Sequence, residues 1–66
     1  MYRGVVRNPG QDGVEFSAPN FHSLREQIYA LTLMSEDATD LVIWDEMGKE
    51  IFVGTVKRWR EGQVRG

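Results

Sequence analysis

The chain has no cysteine, one histidine and two prolines among its 66 residues, and each shortage narrows what it can be. Without thiols there is no disulfide framework and no thiolate zinc site to staple a small core, and nothing argues for an oxidising compartment. With His22 the sole imidazole and no serine in a G-x-S-x-G setting, the usual nucleophile–base pairs cannot be assembled within one chain. A single imidazole near a helix start reads as a solvated side chain. Long hydrophobic runs are missing too. Nowhere do about 18 apolar residues follow one another, as a membrane span requires, and the opening Met1-Tyr2-Arg3-Gly4-Val5-Val6-Arg7 lacks the apolar stretch of a leader. The expectation is a soluble, cytoplasmic, non-enzymatic chain that needs neither cofactor nor metal and makes no membrane contact.

What is present is enough to fold. Hydrophobic residues make up 41% of the chain, but a chain this short buries only about 60% of the surface its unfolded form exposes, so stability should be marginal. Residues 1–66 are expected to form one small domain, with about 61–66 as a frayed tail, because Glu61-Gly62-Gln63-Val64-Arg65-Gly66 carries no pattern.

Tyr2, Val5 and Val6 are strong strand formers, and the segment they dominate stops at Asn8-Pro9-Gly10, which is turn chemistry. Gly13 to Ala18 alternates, with Val14, Phe16 and Ala18 on one side of a second strand. After Pro19 the period changes: Asn20 is a good N-cap, and Phe21, Leu24, Ile28 and Leu31 fall on one helical face. The helix should fade near Met34, leaving the acids of Ser35-Glu36-Asp37-Ala38-Thr39 beyond the negative end of its dipole.

Asp40 to Trp59 reads as a second hairpin, in which Leu41-Val42-Ile43-Trp44 and Ile51-Phe52-Val53 flank Asp45-Glu46-Met47-Gly48. A type I turn closed by a glycine bulge suits that tetrapeptide. Asp45 then faces Lys49, Trp44 faces Glu50, Ile43 faces Ile51, Val42 faces Phe52 and Leu41 faces Val53. Side chains alternate across a strand, so this register puts Leu41, Ile43, Ile51 and Val53 on one face and Val42, Trp44, Phe52 and Val56 on the other. The compact aliphatic set is expected inside, against the leucine stripe of the helix, with the reverse arrangement, aromatics buried and aliphatics outward, as the alternative. Lys57-Arg58-Trp59-Arg60 would prolong the last strand or begin the tail. The fold class is α+β, in the order β-β-α-β-β, with a single helix packed on an antiparallel sheet of about four strands.

Function rests on surfaces, because the motifs of chemistry are absent. Gly10-Gln11-Asp12-Gly13 lacks the Lys and Ser/Thr of a phosphate loop. Glu36, Asp37, Asp40, Asp45, Glu46 and Glu50 fall within fifteen residues opposed by Lys49 alone. Their spacing is not that of a calcium loop, so no metal is assigned to them. The run reads either as a solvated face or as a surface that imitates phosphates and fills a basic nucleic-acid channel. Arg3, Arg7, Lys57, Arg58 and Arg60, with Trp59, admit the opposite reading, a module that stacks and neutralises a single strand. Against it, basic side chains also protect sheet edges from pairing, and a net charge of −2 with a pI near 5.2 makes nucleic acid the lesser alternative. A greasy side left open by a single helix would be covered by a protein partner or by a homodimer across the sheet, with Trp44 and Phe52 as anchors.

The run G-V-E-F-S-A, leading through Pro19-Asn20 into the amphipathic Phe21 to Leu33 and ending in a charged hairpin, resembles several small phage-encoded anti-CRISPR proteins in architecture. That resemblance implies a compact, non-enzymatic inhibitor acting in the host cytoplasm, which binds a CRISPR effector subunit and blocks its DNA or guide contacts. The residues that would meet the effector are then Glu36, Asp37, Asp40, Asp45, Glu46 and Glu50, together with Trp44 and Phe52.

Overall fold

The structure, a computed structural model, describes residues 1–64, with side chains described through residue 62. Strands β1 (Tyr2–Arg7) and β2 (Val14–Ala18) precede helix α1 (Phe21–Leu33). Strands β3 (Asp40–Trp44) and β4 (Glu50–Thr55) come next, and a second helix, α2 (Val56–Val64), ends the described chain. The strands form one antiparallel sheet in the order β2-β1-β3-β4. The expected α+β class and strand–strand–helix–strand–strand order hold.

Each hairpin turns on a glycine with positive φ, Gly10 (φ 76°) and Gly48 (φ 81°), a conformation that side chains disfavour. In the first, the Gln11 amide donates to the Asn8 carbonyl at 3.0 Å. In the second, the Gly48 amide donates to the Asp45 carbonyl at 3.0 Å and the Asp45 amide to the Lys49 carbonyl at 2.8 Å. That is the expected type I turn with its glycine bulge. Asn20 caps α1 as anticipated, its Oδ1 accepting from the Ser23 amide at 2.9 Å. At the other end the Met34 amide donates back to the Leu31 carbonyl, and the acids begin only at Glu36.

The inner side of the sheet meets both helices. Leu24 and Ile28 of α1, Ala18, Leu41 and Ile43 are buried together, with Tyr2, Val6, Phe16, Phe52 and Trp59 packed around them. Fully burying an aliphatic side chain of this size is worth roughly 1.5–3 kcal/mol, so these few residues carry much of the stability of so small a domain. Gly4 shows how tightly the parts fit. A Cβ built there would stand 2.4 Å from Cζ of Phe16, whose ring lies across the glycine from the neighbouring strand.

Two expectations need correction. Beyond the pair Trp44 and Glu50 the register slips by one residue: Ile43 pairs with Phe52, Val42 with Val53 and Leu41 with Gly54. Ile51 is therefore the extra residue of a β-bulge, and a one-residue slip reverses the faces of every residue beyond it on that strand. Phe52, expected outside, points into the core, while Ile51 and Val53, expected inside, point out. The second correction concerns Lys57 to Val64. The stretch expected to extend the strand or fray as a tail is helical through Val64, whereas Arg65 and Gly66 lie outside the described residues.

The physical cause joins the two corrections. Val56, expected on the open side, is fully buried, and its amide donates to the Thr39 carbonyl at 2.8 Å, which fixes where β4 stops. From there α2 brings Trp59 edge-on to Phe52, with ring centroids 5.2 Å apart at 83°, a favoured aromatic geometry. Arg60 then donates to the Thr32 carbonyl and, at 2.9 Å, to Asp37 Oδ1. A cation thus satisfies the last turn of α1, where the helix dipole welcomes it.

Candidate docking surface

With α1 and α2 on one side, no element among the described residues crosses the other. The register makes that open face a grid. Its middle row is Glu15, Val5, Val42 and Val53 on β2, β1, β3 and β4. One row toward the β3–β4 turn it carries Ser17, Arg3 and Trp44, with Glu50 and Ile51 on the bulged strand; one row the other way it carries Arg7, Asp40 and Thr55. Apolar side chains therefore fill the centre, and charges of both signs stand around it. Val5, Val42 and Trp44 are half-buried by their neighbours, whereas Ile51 and Val53 are 43% and 54% exposed. An apolar middle with a polar margin is the usual anatomy of a protein interface.

Few of the charged groups among the described residues are paired. Arg3 reaches Glu15 at 3.6 Å, with side chains 67% and 73% exposed, a pair that contributes little in water. The Arg7 Nε donates to the Gln11 carbonyl at 3.2 Å. Asp40 and Glu50 form no ion pair among the described residues.

The acidic run is not one surface. Glu36, Asp37 and Asp40 lie at the start of β3, and Asp45, Glu46 and Glu50 at its far end, separated by a strand of about 3.3 Å per residue. Two of the six are occupied structurally. Asp45 Oδ1 accepts from the amides of Met47 at 2.8 Å and Lys49 at 2.9 Å, closing the turn, and Asp37 holds Arg60. Glu46 lies 3.8 Å from the terminal ammonium of Met1. Of the two candidate aromatic anchors, Trp44 is on the open face and Phe52 is in the core. Ile51 and Val53 belong to the face although sequence reasoning does not find them there, because the bulge leaves no mark in the hydrophobic pattern; Val5 joins them through the pairing of β1 with β3, which local pattern does not reveal.

The basic candidates separate as well. Arg3 and Arg7 belong to β1, a central strand, so they do not guard an edge. Lys57 and Arg58 are exposed on α2, while Trp59 and Arg60 turn toward the core and α1. Beside them a cleft of about 580 Å³ runs between the helices, lined by Arg25, Tyr29, Leu33, Trp59 and Arg60 among others. Arg60 crosses it to reach Thr32 and Asp37. No described group of three or more His, Cys, Asp or Glu side chains converges as metal ligands do, and no described helix is long and apolar enough to cross a membrane. No protein-family model matches the chain, and no curated protein or solved structure does either.

Proposed function

We propose that this chain is a non-enzymatic docking domain that acts by covering a surface of another protein chain with the open face of its sheet. One observation carries the reading: both helices pack on the same side, leaving Val5, Val42, Trp44, Ile51 and Val53 as a continuous apolar area inside a charged margin. Such an area on a small domain marks an interaction site more often than an accident of composition. The inhibitor form of this reading, with a nucleic-acid-binding effector as the larger partner, draws its support from Glu46 and Glu50. Both are exposed at the turn end of the hairpin, beside Trp44.

The test compares Val53→Lys on the open face with Leu33→Lys on α1, which is 68% exposed. Both variants should keep the far-UV circular dichroism of the parent. Binding to protein partners should be lost with Val53→Lys and kept with Leu33→Lys. Equal behaviour of the two variants would overturn the reading.

A further inference from the structure

We propose, resting on that reading, that the open face fits a second copy of this chain, related by a two-fold axis that runs parallel to the strands between β1 and β3. Val5 and Val42 are directly opposite one another across those two strands, so the axis passes through the apolar centre. A two-fold contact is self-complementary: what one copy offers at a position must suit what the other offers at its image.

Two axes lying in the plane between the sheets can be compared. An axis perpendicular to the strands would set β1 on β1 in reverse, bringing Arg3 over Arg7 and Asp40 over Trp44. That juxtaposes like charges across a closing interface, an arrangement that natural interfaces avoid because it disfavours association. An axis parallel to the strands sets β1 of each copy over β3 of the other and keeps the rows aligned. Val5 then meets Val42, Arg7 meets Asp40, and Arg3 meets the Trp44 ring as a cation over an aromatic face. Each match occurs twice. The Arg7 side chain donates to the Gln11 carbonyl through Nε, and its terminal nitrogens form no hydrogen bond or ion pair among the described residues.

Packed sheets twist against one another by about 30°. The matches one row from the centre involve long arginine side chains, which can follow that rotation. Four strands at about 4.8 Å, each some five residues long at about 3.3 Å per residue, make a face roughly 19 by 17 Å, a footprint of about 650 Å² over the two copies. That is below the roughly 1,000 Å² that stable specific interfaces use, so the dimer is a weak one and should dissociate within a concentration range accessible to ultracentrifugation. The same axis keeps both β3–β4 turns at one end, so Glu46 and Glu50 of the two copies would gather there.

The experiment is sedimentation equilibrium on the full chain across a concentration series, with Arg7→Glu, Asp40→Arg and an equimolar mixture of the two. The parent should dimerise. Each variant alone should weaken dimerisation at least tenfold, because like charges then meet twice. The mixture should recover a dimer, since Glu at position 7 of one copy meets Arg at position 40 of the other while Asp40 of the first meets Arg7 of the second. Arg7 and Asp40 also neighbour one another within a chain, and a purely intrachain role predicts no recovery on mixing. If either charge reversal costs the folded dichroism signal, Arg7→Gln and Asp40→Asn replace them and should still weaken the dimer.

A monomeric parent would overturn the proposal, as would dimers indifferent to these changes, the pattern expected of edge pairing through β4, or a mixture that stays monomeric. If the parent is monomeric while Val53→Lys still abolishes partner binding, only the dimer fails. If Val53→Lys changes no association at all, the docking reading fails with it.

Discussion

The two faces of the sheet come from the same strands, residue by residue in alternation, yet they are built on different rules. On the covered face Gly4 and Gly54 leave room for the rings of Phe16 and Phe52, and Leu41 and Ile43 are wholly buried. Shape decides what fits there. On the open face the β-branched Val5, Val42 and Val53 form a flat middle, and Arg3, Arg7, Asp40 and Glu50 mark its rows by charge. There the residues differ by sign, and exposed charges are free to act on something outside the chain. The inner face thus specifies this fold, whereas the outer one is available to specify a partner.

If so, truncations to alanine at adjacent positions on the two faces should have very unequal effects. Leu41→Ala on the covered side should cost about 2–5 kcal/mol through lost burial and the cavity left behind, enough to bring a domain of this size close to unfolding. Val42→Ala, the adjacent residue on the open side, should cost less than about 1 kcal/mol in the monomer. Urea titrations followed by circular dichroism measure both. Gly4→Ala comes next. Its Cβ collides with the Phe16 ring, and overfilling a packed site costs typically about 1–3 kcal/mol, so a folded variant of parental stability would mean the rings are less constrained than the inner face requires. Asp45→Ala removes a carboxylate that accepts from two amides at the turn and should cost about 1 kcal/mol. It should leave binding through the open face in place, which separates that acid from Glu46 and Glu50.

Legibility in the sequence divides along the same line. The helix bounds are readable because Asn20 is a side-chain signal in one place and Leu24 and Ile28 repeat at helical spacing. The turn at Asp45 to Gly48 is readable because its chemistry is local. The bulge at Ile51 is not, since Ile51, Phe52 and Val53 are all apolar and fit the sheet in either register. What chooses between registers is Trp59 on Phe52 and the buried Val56, contacts made by a second helix whose sequence, Val56-Lys57-Arg58-Trp59-Arg60, looks like a charged tail. Of the candidate site, Trp44 and the outward Val42 survive from the strand alternation, and Phe52 leaves it with the register. The six acids form a run in sequence but not in space, because a strand separates the two halves.

The smallest expected effect is the most discriminating, because it tests where the faces change places. Deleting Ile51 removes the extra residue of the bulge and leaves Glu50 opposite Trp44 and Phe52 opposite Ile43, the pairs already present. The deletion straightens the strand without removing a buried side chain, so it should cost far less than the core truncation at Leu41. The nuclear Overhauser contact between the rings of Phe52 and Trp59 should persist. Had the strands run on from the turn without a bulge, the same deletion would invert every residue from Phe52 to Val56, pull Trp59 off its partner and cost as much as a core truncation. A deletion variant that unfolds, or that loses the ring contact, would therefore show that Phe52 does not belong to the inner face, and the open face would have to be redrawn without Val53.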